Sequence, residues 1–221
     1  MAQLFARLDY EFTDPDLARA ALTHRSAGGS HNERLEFLGD ALLGMLIAET
    51  LFQQHPDAAE GDLSRLRASL VKGETLAEIA TQLELGDFLV LGSGELRSGG
   101  FRRSSILADA LEALLAAVYL DGGFDAARRV VDHLYSGHLE NLPDSADLRD
   151  PKTRLQELLQ ARGAARPVYR VESVSGQAHE QEFQVICEVA ALDTFAEGRG
   201  TSRRRAEQAA AQSVLDRVDN G

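Results

Sequence analysis

The sequence predicts an all-α front of about 140 residues followed by a small α+β unit of order α-β-β-β-α. Three observations predict it. Apolar residues recur at helical spacing in Asn32–Gln54, Asp62–Leu83, Ile106–Leu120 and Phe124–His138. A polar, acidic and aperiodic stretch, SGHLENLPDSADLRD (136–150), then interrupts that pattern. Beyond it, Val168–Ser175, Glu182–Val189 and Thr194–Gly198 alternate or cluster as short strands do, between a helix at Lys152–Arg162 and an Ala-rich helix at Arg203–Val218. The expected division is therefore 1–140 for the helical domain, 141–149 for a linker and 150–221 for the second domain.

Within the front, Thr13-Asp14-Pro15 supplies a capping side chain and a proline for the helix that begins at LARAAL. The Gly-rich GSGELRSGGFRRSS (Gly92–Ser105) reads as an exposed loop. Asp121-Gly122-Gly123 ends one helix and turns the chain into the next.

Composition narrows the function classes. At 221 residues, with 44% hydrophobic and 26% charged side chains, the chain can bury a core and is neither disordered nor collagen-like. Ala41–Ala48 and Leu111–Leu120 fall far short of the ~20 apolar residues that cross a bilayer, so no membrane partner is expected. The start, MAQLFARLDYEF, has no sustained apolar run, so no secretory signal is expected. Cys187 stands alone, which excludes a disulfide framework and a zinc-spaced cluster and fits a reducing, cytoplasmic setting. The net charge of −12 argues against a polyanionic partner, but it is unevenly spread. Residues 1–149 carry 13 Lys and Arg against 24 Asp and Glu, whereas residues 150–221 carry 10 against 11. An acidic domain can still meet a polyanion if its carboxylates hold divalent cations.

HNERLEFLGDALLGMLIAETLF is the most informative stretch. At ~100° per residue, Glu33, Glu36 and Asp40 fall within about 60° of one another. Leu35, Leu38, Leu42 and Leu46 occupy an arc of about 80° on the other side. One such helix alone is more simply an amphipathic helix with a solvated acidic face. A second segment, SILADALEALLAAVYL, alters that balance: Asp109 and Glu112 share a face at i, i+3, with Leu111, Leu114 and Val118 on the greasy side. Ala113 and Ala116, rather than Lys or Arg, flank these acids, and Gly44 lies one turn beyond Asp40. Small residues let helices approach closely, so four or five carboxylates are expected to converge. Their repulsion would shift pKa values steeply unless divalent cations relieved it. Hard oxygen ligands, with no His or Cys expected nearby, favour Mg²⁺ or Mn²⁺ over zinc. Such a cation suits phosphoryl chemistry, activating water and stabilising the leaving alkoxide. No Walker loop offers a nucleotide site, so hydrolysis of a phosphodiester is the economical expectation. Phe37 lies roughly 40° past the acidic face, either as a satellite core contact or packed into a partner subunit. Arg97, Arg102 and Arg103 in the Gly-rich loop are either solvated or in contact with phosphate.

The last helix opens with GRGTSRRRA (198–206), Thr201 or Ser202 serving as N-cap. Three arginines in a first turn oppose the helix dipole by ~0.3–1 kcal/mol per charge. Helix-start amides beside arginines make an anion site, and a phosphate backbone is the natural anion. With α-β-β-β-α order the clamp fits a module that reads duplex RNA by shape, with Gln156, Glu157 and His179 as polar tips and Ser202, Arg203 and Arg204 on phosphates.

Together these stretches resemble bacterial ribonuclease III across essentially the whole chain. NERLEFLGD (Asn32–Asp40) is similar to the family's signature, and EGDLSRLRASLV, SILADALEA, DPKTRLQE and GRGTSRRRAEQAAA follow in the family's order. The resemblance implies an all-α endonuclease domain, a double-stranded-RNA-binding domain, and a homodimeric, Mg²⁺-dependent enzyme. Its products would carry 5′-phosphate and 3′-hydroxyl ends with short 3′ overhangs, and its role would be processing of ribosomal RNA precursors and some messages. By motif position, Glu36, Asp109 and Glu112 would be metal ligands, Asp40 and Glu112 the most directly catalytic acids, Glu33 an outer acid, and Phe37 a dimer-interface plug. Arg102 and Arg103 would join the RNA contacts. The chain departs from the family pattern in two places. Ser104-Ser105 stands where Glu-Ser is common. Glu207 stands where many such modules carry a third basic residue, which would leave Arg203 and Arg204 to hold the phosphates. A binding protein that only dimerises would carry a broken carboxylate set, and a purely structural helical protein would leave the Arg-loaded helix start without a purpose.

Overall fold

The computed structural model describes residues 1–143, 149–176 and 181–219, and the chain divides into two compact units, Met1–Ser145 and Ala146–Gly221. The first unit holds α1 (Ala2–Leu8), α2 (Pro15–Ala21), α3 (Glu33–Gln54), α4 (Glu60–Val71), α5 (Gly73–Gln82), α6 (Ser93–Arg97) and α7 (Ser104–Glu140). The short α1 escapes periodicity because a two-turn helix offers only Leu4 and Leu8, both fully buried, as its signal. The start of α2 is the expected one: Pro15 occupies the first turn and the Asp14 carboxylate accepts from the Asp16 amide at 3.0 Å.

The expected single segment Asp62–Leu83 is two helices, α4 and α5, broken where Lys72 adopts an extended conformation (φ −69°, ψ 148°). The Thr75 hydroxyl donates to the Ser69 carbonyl at 2.8 Å and so satisfies one of the open ends of α4. Buried leucines continue on both sides (Leu66 and Leu70, then Leu76), which is why the apolar pattern runs across the break. The stretch Gly92–Ser105 is likewise not one exposed loop. It contains α6, a 3₁₀ turn at Gly100–Arg102 and the start of α7, and it is tied down by the Gly92 amide donating to the Ser26 hydroxyl at 2.9 Å.

The core of this unit is α7. From Ile106 to Val118 it is buried nearly all round, Leu111, Leu114 and Val118 included, and α2, α3 and α5 pack against it. At Gly123 the helix breaks with φ 78° and ψ −175°, a conformation that favours glycine and that accounts for the DGG turn in the sequence. Ala113 and Ala116 are fully buried as expected, but the close approach of α3 falls at Gly39 rather than Gly44. A Cβ on Gly39 would lie 1.9 Å from the Glu112 carbonyl oxygen, whereas one on Gly44 would meet nothing within 4 Å. The reason is rotation. The buried face of α3 runs through Gly39, Leu42, Leu43, Leu46, Ile47 and Leu51, while Leu35 and Leu38 are only half-buried, so the helix turns toward its acidic side.

The second unit holds α8 (Pro151–Ala161), β1 (Val168–Ser175), β2 (Glu182–Val189), β3 (Thr194–Gly200) and α9 (Arg203–Asp219). The strands form an antiparallel sheet of order β1-β2-β3, with Val185 opposite Val171 on one side and Gly198 on the other. Leu155 and Leu159 of α8, Cys187 and Val189 of β2, Ala196 of β3 and Val214 of α9 share one core, so Cys187 is a packing residue. β3 extends to Gly200, two residues past the expected end. Among the described residues, no helix is long and apolar enough to cross a membrane.

Replacing Gly39 by Ala is expected to cost about 3 kcal/mol, the upper end of ordinary overpacking, because both colliding atoms belong to helical segments. Gly137→Ala, at an exposed helical position with nothing within 4 Å of the new Cβ, is expected to stabilise by about 0.5–1 kcal/mol. Urea denaturation of the two variants checks the contrast, and an unchanged midpoint for Gly39→Ala would contradict it.

Candidate active site

The Gly39 contact brings the first turns of α3 against the first turns of α7, and both carry acids there. Asp109 and Glu112 lie one turn apart on α7, and Glu36 faces them from α3. One carboxylate oxygen from each of Glu36, Asp109 and Glu112 lies within 4.8 Å of the others. Asp40 is exposed, and its charge acts on Glu112. Glu33 turns away toward Arg25 at 3.1 Å and His31 at 3.7 Å. Of the five expected acids, three therefore meet, a fourth flanks them, and Glu33 sits on the rim.

Burial, and then the charges of Asp40, Asp109 and Glu36, push the Glu112 carboxyl up to about 8. Burial also raises Glu36, reinforced by Asp109 and Glu33 and opposed by Arg25. Asp109 is raised by burial against the pull of His24 and Arg25. Among the described residues, no Lys or Arg forms an ion pair with Glu36, Asp40, Asp109 or Glu112. Half-buried carboxylates that crowd without a basic partner fit a hard divalent cation. Glu36, Asp109 and Glu112 are the residues that could hold it.

Glu36 and Asp109 open onto a cavity of about 600 Å³ that is also lined by His24, Arg25, Asn32, Glu95 and Arg103. The expectation of no histidine nearby is thus corrected: the chain preceding α3 folds His24 into this cavity. His24 stays outside the carboxylate cluster, its Nδ1 lying 2.8 Å from the Ser26 hydroxyl. His24 and Arg25 carried no sequence signal, since they lie in an aperiodic turn before α3, and Glu95 sits in the five-residue helix α6, too short to show a period. Arg103 reaches the cavity wall and pairs with Glu95 at 3.0 Å. Arg102 does not. It stacks over Phe101, 5.1 Å from the ring centroid, and lines a separate cavity with Glu84 and Asp87. The start of α7 at Ser104 has no side-chain cap. Phe37 is 80% exposed, which rules out the satellite core contact; Met45 and Phe52 of α3 are exposed as well.

In the second unit the N-cap of α9 is Ser202, whose hydroxyl accepts from the Arg205 amide at 3.3 Å. Arg203 donates to Glu207 at 2.9 Å, and Arg204 lies 3.8 Å from Asp150. Glu207, only 8% exposed, also accepts from Lys152; burial opposes its ionisation, but these two hydrogen bonds hold its carboxyl below the usual range. Glu207 therefore faces inward and ties α8 to α9. Asp150 caps α8 through the Lys152 amide at 2.9 Å and accepts from Gln208 at 2.7 Å. On α8, Gln156 is half-buried and Glu157 is exposed, paired with Arg149 at 2.8 Å. His179 lies outside the described residues.

Comparison with known proteins follows the same two-part division. Residues 14–139 match the Ribonuclease-III-like family and residues 151–218 the double-stranded RNA binding motif. Ribonuclease 3 of Vibrio cholerae is 55% identical over 221 residues, covering 100% of this chain and 98% of that protein. Ribonuclease 3 of Nitrosococcus oceani is 57% identical over 217 residues, covering 97% and 93%. The chain belongs to the ribonuclease III family. The crystal structure of the nuclease domain of ribonuclease III from Campylobacter jejuni aligns with a TM-score of 0.62 at 43% identity, covering 65% of this chain and 98% of that one. The chain is accordingly a ribonuclease III-type endoribonuclease of double-stranded RNA, from a family whose nucleases depend on divalent metal.

The raised Glu112 carboxyl sets a pH dependence. Its stabilising contribution is complete below the ordinary glutamate value of 4.5 and is lost as pH rises through about 8, because the unfolded chain ionises freely while the native site resists. Glu112→Gln removes this contribution. In EDTA, the thermal midpoint of the variant is expected to gain on that of the unsubstituted protein as pH rises from 5 to 8.5. A difference independent of pH would contradict the assignment.

Proposed function

We propose that this ribonuclease III-type enzyme hydrolyses phosphodiester bonds of duplex RNA as a homodimer using Mg²⁺, with Mn²⁺ as a substitute. It would leave 5′-phosphate and 3′-hydroxyl ends with short 3′ overhangs. The observation that carries this reading is the meeting of Glu36, Asp109 and Glu112 within 4.8 Å. These three would hold the cation, which when bound neutralises charge on the scissile phosphate and activates water. Asp40 and Glu112 are the acids we assign to catalysis. The exposed Asp40 carboxylate would take the proton of the attacking water, and its charge acts on Glu112, which joins it to the half-buried Glu36 and Asp109. Arg103, at the wall of the cavity, would meet a phosphate of the bound strand.

The assigned roles are 1–140 for catalysis, 141–149 as linker and 150–221 for RNA binding. Gln156, Glu157 and His179 would meet minor-groove edges, and Ser202, Arg203 and Arg204 the phosphates between them. Arg102 would contact RNA outside the carboxylate cavity. For the homodimer, the support is the exposed apolar line Phe37, Met45 and Phe52 on α3. A second Campylobacter jejuni nuclease-domain structure, 44% identical with a TM-score of 0.61, is described by its region involved in dimer formation. We assign the enzyme to the cytoplasm and to processing of ribosomal and transfer RNA precursors and some messages.

Labelled duplex RNA incubated with the enzyme is expected to be cut in Mg²⁺, to stay intact in EDTA, and to be bound but not cut by Glu112→Gln. Binding without cleavage under every metal condition would contradict the enzyme reading. Replacing Arg203 and Arg204 together by Ala is expected to weaken all duplexes alike and to reduce the slope of log K against log salt by about 2. An unchanged slope would remove both from the phosphate contacts.

A further inference from the structure

His24 stands in the wall of the carboxylate cavity with its ring already fixed. Its Nδ1 accepts from the Ser26 amide at 3.2 Å and lies 2.8 Å from the Ser26 hydroxyl. Ser26 is pinned in turn, its hydroxyl accepting from the Gly92 amide at 2.9 Å. Gly92 permits that approach, since a Cβ there would lie 2.2 Å from the Ser26 carbonyl oxygen. The backbone around the ring is stitched as well. The His24 amide donates to the Val90 carbonyl at 3.0 Å, and the Val90 amide to the Leu22 carbonyl at 2.9 Å. A ring nitrogen that accepts from a backbone amide carries no proton, so the proton of this imidazole sits on Nε2. Nε2 lies on the free edge of the half-buried ring and bonds nothing among the described residues.

The cavity of about 600 Å³ that His24 lines is the one onto which Glu36 and Asp109 open. Asn32 lines it too; it is 2% exposed, its side chain does not cap α3, and its Nδ2 finds no acceptor among the described residues. Arg25 and Arg103 on this wall are shared with Glu33 at 3.1 Å and Glu95 at 3.0 Å. N–H donors left without acceptors beside these carboxylates make a place for an oxygen of the substrate. We propose that His24 is a catalytic residue whose Nε2–H donates to a non-bridging oxygen of the scissile phosphate. This deepens the function proposed above and rests on it. A donor fixed in advance costs no reorganisation as negative charge grows on that oxygen, so it stabilises the transition state more than the bound substrate. Ser26 and Gly92 act through the imidazole and are positioning residues. The Nδ1 bond also caps the short 3₁₀ turn Arg25–Ala27, a structural role that has to be separated from contact with RNA. His24→Asn separates the two: asparagine keeps an acceptor for the Ser26 amide but is too short to place a donor at Nε2.

The test compares the unsubstituted full-length enzyme, His24→Asn and His24→Ala on duplex RNA, unmodified or with one phosphorothioate of either configuration at the scissile bond. On unmodified RNA in Mg²⁺, kcat is expected to fall about 100-fold in both variants, with the KM for RNA nearly unchanged. Only His24→Ala is expected to lower the thermal midpoint in EDTA, since only it loses the cap. Sulfur accepts hydrogen bonds poorly. In the configuration that sets it against Nε2, it is expected to slow the unsubstituted enzyme in Mg²⁺ and Mn²⁺ alike and to cost the variants nothing further. Mn²⁺ binding without RNA, followed by electron paramagnetic resonance, is expected to be equal in all three proteins. Cutting by His24→Asn at the unsubstituted rate would overturn the inference and leave His24 a cap alone. An undiminished phosphorothioate penalty in His24→Asn would overturn it too, as would weakened Mn²⁺ binding, which would tie the imidazole to the cation. If the unsubstituted enzyme left duplex RNA intact in Mg²⁺, the proposed function itself would be refuted instead.

Discussion

The whole catalytic unit depends on one contact, the seating of Gly39 on the Glu112 carbonyl. At that point α3 comes as near to α7 as backbone allows, since even a methyl group would collide at 1.9 Å. The buried length of α7 fixes the contact from behind, with Ala113 and Ala116 giving way to its neighbours and Leu111 and Leu114 locking the helix into the core. Acids on both helices are thereby forced together, and packing overrides their repulsion. The result is a set of carboxyl groups that resist ionisation until a cation offsets the cost. Packing energy from the core is thus converted into a site poised for a hard divalent ion.

In the RNA-binding unit, charge is organised differently. Lys152 and Arg203 converge on the buried Glu207, and Asp150 bridges the start of α8 to Gln208 of α9. Buried ion pairs contribute little net stability because desolvation offsets their attraction, but they fix geometry. Here they set the start of α8 against the start of α9, the two surfaces assigned to RNA. Arg203 reaches solvent from a fixed root, and Arg204 and Arg205 project beside it. The dipole-opposing arginines at this helix start are offset locally by Glu207 and Asp150, which lets the chain keep positive charge where a phosphate would lie.

Much of this was legible in the residues. Alternation located β1 and β2, the DGG triplet located the break in α7, and i, i+3 spacing gave Asp109 and Glu112 a common face. What escaped did so for physical reasons. Helical angles place Glu36 and Asp40 on one side of α3 but do not say how far the helix rotates on its neighbour, so Gly44 was expected to make the contact that Gly39 makes. Leucine spacing runs on through Lys72 because it reports burial, not hydrogen bonding. His24 and Arg25 reach the cavity through tertiary contacts of a turn that has no period. Glu207 reads as a surface acid until its two basic partners are seen.

Diffraction from crystals of the full chain grown in Mn²⁺, recorded with the anomalous signal of that ion, decides whether these carboxylates hold a cation. An anomalous peak is expected between Glu36, Asp109 and Glu112, with Gly39 still seated on the Glu112 carbonyl. Carboxylates splayed into solvent with no peak among them would contradict it.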